Sequence, residues 1–363
     1  MMNKTNNQQD VASADSLKLI KKRLTNYLTI GGIVLGSSFA GMNAANSITM
    51  IGGEVMSAAD DSANTAAATS ANADYTIGSG NVGIDTDSLL ITIKSLDSTG
   101  TATIVTMAGT GGLTISGAVT ATAALTILVN ESADNALSIG AVSGAIISQG
   151  TGSVVNLTGA VTHGGTFVSR DDGDGTINVS AATTFSGALA ATGDDLGTLN
   201  IAAATNVNAA SFIRDVNVTA SVLTDFAAAM AIDTIDLQHA TASVKFGSTL
   251  VGATGSQTTV VTMNATGQKV ILDGTADVAA NITTTTDGFG EVQIDTAAQT
   301  IGIIGTSTTV KVGLIDIDAG ATIENNVFAD LTTIKASQTM TIGGAVEDIV
   351  YTGVVRGDTD ATG

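Results

Sequence analysis

Short apolar–polar–apolar triplets recur along this chain at a spacing near twenty residues. That recurrence limits the folds open to it more than any other feature. The series runs from Ile91-Thr92-Ile93 and Leu113-Thr114-Ile115 through Leu137-Ser138-Ile139, Val155-Asn156-Leu157, Ile177-Asn178-Val179 and Leu199-Asn200-Ile201. It continues through Val216-Asn217-Val218, Ile235-Asp236-Leu237, Val270-Ile271-Leu272, Val292-Gln293-Ile294 and Ile315-Asp316-Ile317 to Thr332-Thr333-Ile334. Successive last positions are 17 to 24 residues apart, except for one gap of 35 that holds another strand-like run, Val260-Val261-Thr262-Met263.

Alternation with period two is the pattern of a half-buried strand. A strand of four or five residues cannot bury its apolar side alone. Stacked coils can, because each turn of a solenoid lays its inward Ile, Val and Leu over those of the turn before. Between triplets lie clusters of Gly, Thr, Ser, Asn and Asp suited to tight corners. Proline, which removes a ladder donor, is absent from all 363 residues. Further triplets such as Leu125-Thr126-Ile127 are expected to form a second face of the same coil. The expected fold is all-β: a right-handed parallel β-helix, or β-solenoid, of about a dozen coils. An antiparallel sandwich is disfavoured because no series of Asn-Gly or Asp-Gly hairpin turns links adjacent runs.

Three segments are expected. Residues 1–40 read as a signal peptide with an extended polar leader. Lys18, Lys21, Lys22 and Arg23 precede an uncharged apolar stretch from Leu24 to Phe39, and Ser38 and Ala40 supply small residues for cleavage. Residues 41–80, rich in Ala, Ser, Asn and Thr, read as a flexible lead-in or N-terminal cap, and 81–363 as the β-helix, open to truncation at its C-terminus. Beyond residue 40 the chain has eight basic and 31 acidic residues, a net charge of −23. Such an excess repels phosphate backbones, so no nucleic-acid partner is expected. With no cysteine there is neither a disulfide framework nor a thiolate metal site.

The acidic run Asp171-Asp172-Gly173-Asp174-Gly175 is the candidate metal site. Alternating Asp and Gly can wrap oxygen ligands around calcium. A solvated turn is the simpler reading, since no distal Glu closes the loop and the run does not repeat. No cofactor is required. Arg356-Gly357-Asp358 is a tripeptide that integrins recognise, and adhesion through it requires display at a loop tip. His163 and His239 stand 76 residues apart and read as turn or surface histidines. With eight basic residues, no Trp and two Tyr (Tyr75, Tyr351) beyond residue 40, the chain offers few of the basic residues and aromatic sugar platforms that a polysaccharide-active enzyme uses. No catalytic residues and no small-molecule substrate are expected. The triplet centres Asn156, Asn178, Asn200, Asn217, Asp236 and Asp316 are expected to face solvent, so that Asn200→Asp or Asn178→Asp costs little, while stacked amides are expected at corners.

Several strings carry a family resemblance. They are Gly175-Thr176-Ile177-Asn178-Val179 followed by Thr183-Thr184-Phe185-Ser186-Gly187, then Gly197-Thr198-Leu199-Asn200-Ile201, and Gly343-Gly344-Ala345-Val346 after Thr341-Ile342. They resemble the passenger regions of rickettsial outer-membrane protein A/B-type autotransporter surface antigens, over residues 150–350 and in the style of signal peptide. The resemblance implies a passenger carried to the bacterial surface or outer membrane by a C-terminal β-barrel, where it adheres to host cells. The aromatic-ended strands of such a barrel are not among these residues. Two expectations follow: further sequence beyond Gly363, or another export route. The partners expected are a host-cell surface protein or neighbouring surface subunits. Two alternatives stand beside the adhesive role: a self-assembling surface-layer subunit and a polysaccharide-active β-helix enzyme.

Overall fold

The computed structural model describes residues 47–51, 55–57, 74–79, 82–85 and most of 90–357, unbroken from 136 to 254. The signal-peptide segment 1–40 lies outside the described residues. Those described form an all-β solenoid of stacked parallel strands. A 14-stranded sheet runs the length of the first two thirds, flanked by a six-stranded, a ten-stranded and a three-stranded sheet. The ladder begins upstream of position 81, because Ser47–Ile51 already pairs in parallel with Asp74–Ser79. Twelve strands follow one another laterally from Ser47–Ile51 to Ala280–Thr284. At about 4.8 Å per step that ladder is about 53 Å long.

The triplets set the core. In the long sheet Ile93, Ile115, Ile139, Leu157, Val179, Ile201, Val218 and Leu237 lie opposite one another in a single column. All eight are buried. The gap of 35 residues is a change of sheet. Leu237 pairs with Met263, in the run that the gap contains, whereas Leu272 pairs with Phe246 in the ten-stranded sheet. There a second column runs His163, Phe185, Val207, Phe226, Phe246, Leu272, Ile294, Ile317 and Ile334. Phe226 stacks on Phe246 with centroids 5.6 Å apart and planes 10° apart. Leu125-Thr126-Ile127 belongs to the six-stranded sheet, the expected second face, with Ile127 opposite Ile147.

The expectation for His163 is corrected. It is a core residue, fully buried, with its ring 5.8 Å from Phe185 and 6.3 Å from Phe167. It takes the inward place on its strand, 22 residues before Phe185, that an apolar residue takes in the following coils. His239 is exposed, and its Nδ1 accepts from the Thr241 amide at 3.3 Å.

The amide ladder is also placed differently. It stands on the strands, not at the corners. Asn178 Nδ2 donates to Asn156 Oδ1, Asn200 Nδ2 to Asn178 Oδ1 and Asn217 Nδ2 to Asn200 Oδ1, each at 2.9 Å. Gln238 Nε2 extends the row to Asn217 Oδ1 at 3.1 Å. The triplet centres are half-buried, so an acidic substitution does more than change solvation. Asn200→Asp removes the donor to Asn178 and turns a carboxylate oxygen toward an amide oxygen. We expect it to cost about 1–2 kcal/mol, measurable as a lower urea midpoint. An unchanged midpoint would show that the ladder contributes nothing.

Charge is also used between coils. Among the described residues Lys94, Arg214, Lys245, Lys269, Lys311 and Lys335 each pair with a carboxylate from another coil. Lys245 bridges Asp225 at 2.8 Å and Asp273 at 3.4 Å, and both carboxylates hold its ammonium above the ordinary lysine range. Partly exposed pairs of this kind contribute about 1 kcal/mol or less each. They fix coil register and leave few cations free to gather an anionic ligand.

Candidate functional site

The acidic run is a corner. Asp171 to Asp174 form a turn in which the Asp174 amide donates to Asp171 O at 3.1 Å, with Gly173 at φ 85° in the third position. That backbone conformation needs glycine. The same turn recurs one coil before, at 150–153, and one coil after, at 191–194.

The side chains of the run diverge. Asp171 faces solvent. Asp172 forms an ion pair with Arg214, two coils away, and its Oδ1 accepts from the Asp195 amide at 3.4 Å. Asp174 is buried, at 8% exposure, among the first residues of the next strand. The structure therefore does not bring Asp171, Asp172 and Asp174 to one point. Among the described residues no group of three or more His, Cys, Asp or Glu side chains is gathered to hold a metal ion.

Two charged groups outside the acidic run meet at this corner. Asp195 is 2% exposed, and burial, reinforced by the Asp172 carboxylate, pushes its pKa up to about 6. Arg214 reaches back across a coil to Asp172, its guanidinium lying over Gly173 where a Cβ would collide with it. Arg170 does the same one coil earlier: it lies over Gly150 and donates to Val129 O at 3.0 Å. A glycine followed by an arginine 20 or 41 residues later is the only sequence trace of this device.

Arg356 and Gly357 are exposed in the strand Tyr351–Gly357, opposite Thr333 and Ile334. Both sit in extended strand, not at a loop tip. Asp358 lies outside the described residues.

A shallow outer groove of about 320 Å³ crosses three coils at Ala160 to Thr162, Ala182 to Thr184, and Ala204 with Asn206. Its lining is small and uncharged, with hydroxyls and one amide but no acid, base or aromatic ring. Such a groove offers contact and little chemistry. Comparison of the chain with protein-family models, with curated proteins and with solved structures finds no match.

Proposed function

We propose that this chain is an exported bacterial cell-surface protein whose solenoid serves a structural and adhesive role and performs no catalysis. The observation that supports this most is the uninterrupted parallel ladder, about 53 Å in its longest sheet from the inter-strand spacing, with half-buried polar rows along its outer face. A stack of this kind presents extended lateral surface at low cost in sequence, since each coil repeats one solution. The basic–apolar–small order of residues 18–40 supports export. The partner on this reading is a host-cell surface protein.

Intact expressing cells provide the test. Protease added from outside should remove solenoid epitopes, and the surface-extracted chain should begin at or shortly after position 41. Cytoplasmic retention, or a product that still starts at Met1 or Met2, overturns the reading.

A second reading, a self-assembling surface-layer subunit, draws on the last strand. Val354 is 50% and Val355 47% exposed, and among the described residues the strand Tyr351–Gly357 pairs only with Val327–Ile334. Unpaired edges of this kind promote end-to-end association. Ordered arrays from purified protein, seen by electron microscopy, would favour neighbouring copies as the partner.

A further inference from the structure

Inside the corner described above, four polar side chains enter the core from two adjacent coils. Gln149 ends the strand Ile146–Gln149, two residues after the buried Ile147, and so points inward. Its ladder neighbours are Val129 and Ser169, both buried. Ser169 Oγ donates to the Asp174 carbonyl at 2.8 Å. Ser153, across the turn from Gln149, accepts at its carbonyl from the Thr176 amide at 2.9 Å. Gly175 closes the arrangement. It has φ 80°, and a Cβ there would lie 2.8 Å from both Cβ and Oε1 of Gln149. The Gln149 amide thus lies against the backbone next to Asp174.

Gln149 and Ser153 are wholly buried and Asp174 is 8% exposed. Gln149 Oε1 and Nε2, Ser153 Oγ and Asp174 Oδ2 have no hydrogen-bond partner. Buried polar atoms are ordinarily paired. Seven others among the described residues, both His163 ring nitrogens, Thr224 Oγ1 and Asp225 Oδ1 among them, also lack partners, but the comparable buried glutamine is fully paired. Gln268, 1% exposed, donates from Nε2 to the carbonyls of Leu237 and His239 and to Asn264 Oδ1, and accepts at Oε1 from the amides of Asn264 and Ala265. Gln149 has none of this. Asp174, unlike Asp172, takes part in no ion pair among those of the described residues.

A buried carboxylate without a counter-charge is costly. One carboxylate oxygen, one amide oxygen and one hydroxyl oxygen are the ligand types that a hard cation takes, completed by backbone carbonyls and retained water. We propose that this corner binds one calcium-class divalent cation inside the solenoid, through Asp174 Oδ2, Gln149 Oε1 and Ser153 Oγ. Water kept by the ion accepts from Gln149 Nε2. The surface carboxylates Asp171 and Asp172 are not ligands: one faces solvent and the other is engaged by Arg214.

The test uses the full chain, stripped with a chelator and held in about 0.15 M KCl to screen the acidic surface. Calorimetric titration with calcium chloride should show one ion per chain, and calcium should raise the thermal midpoint. Asp174→Asn and Ser153→Ala should each weaken binding about tenfold or more, the range seen when a metal site loses a supporting group. Asp171→Asn should bind as the parent does. Absence of stoichiometric binding to the parent overturns the proposal. So does unaltered affinity in Ser153→Ala, which removes a single oxygen and decides the matter if Asp174→Asn fails to fold.

Discussion

Ile201→Asp should lower stability by about 4 kcal/mol or more, because it places an unpaired charge in the core and forfeits the packing of an isoleucine. Ile201 is wholly buried, between Val179 and Val218 of the neighbouring coils. Both ladder neighbours are apolar, so the new carboxylate meets no counter-charge from them. The conservative Ile201→Val should cost about 1 kcal/mol, the value of one buried methylene. Asn200→Asp, one residue earlier on the outer face, should fall between the two. A solenoid transmits such damage through nearest-neighbour interfaces. Loss of amide protection should therefore be greatest in the coils holding Val179 and Val218 and fade toward the ends. Hydrogen exchange resolved by peptide measures this directly. Equal loss across all coils would mean that the stack unfolds as one unit, and equal effects of Ile201→Asp and Asn200→Asp would mean that inward and outward faces are wrongly assigned.

How much of this was legible beforehand depends on what a local pattern can encode. Period-two alternation distinguishes inward from outward, so Ile177, Val179, Leu199 and Ile201 were readable as core and Asn178 and Asn200 as outer residues. Alternation does not say which of several sheets a triplet belongs to, because each sheet repeats the same local pattern. Leu272 therefore looked like the successor of Leu237, although Met263 holds that place. Composition misled at His163. A histidine reads as polar, yet its position 22 residues before Phe185 places it in the aromatic column. The same holds for Gln149 and Ser153, whose inward placement follows from Ile147 and from the recurring corner turn once the coil boundaries are known. The acidic run at 171–174 was legible as a turn because no distal Glu closes it and it does not repeat, and in the structure Gly173 supplies the positive φ of that turn. Its division into one solvated, one ion-paired and one buried aspartate was not, since that depends on Arg214 two coils away. The amide ladder was foreseen as a chemistry and misplaced to the corners, because hydrogen bonding between identical centres requires the register of adjacent coils.

Acid should act on the core through His163. Burial lowers its pKa to about 4, and no charged group offsets that burial. Its own short strand, the strand Ala136–Ser143 beside it, and Thr166–Ser169 and Thr183–Phe185, which hold Phe167 and Phe185, carry no acid or other base. Above pH 6.5 the imidazole is neutral in both folded and unfolded chains and contributes no pH dependence. Between pH 6.5 and about 4 the unfolded chain takes up a proton that the folded core refuses, which removes about 3 kcal/mol of stability. Asp195 works in the opposite direction over nearly the same window. Its pKa is raised to about 6, so the folded chain binds a proton there before the unfolded chain does, and this group's contribution to stability rises as pH falls from about 6 toward 3.8. The two contributions oppose each other over that window. Substitution separates them. His163→Phe, which keeps a ring against Phe185, removes only the unfavourable half. Its advantage over the parent should grow by about 2–3 kcal/mol between pH 7 and pH 4.5, read from urea midpoints at each pH. Asp195→Asn should do the reverse and leave the protein increasingly fragile in acid. Parallel profiles for parent and His163→Phe would show that the imidazole is protonated at no cost, and so is not sealed in the core.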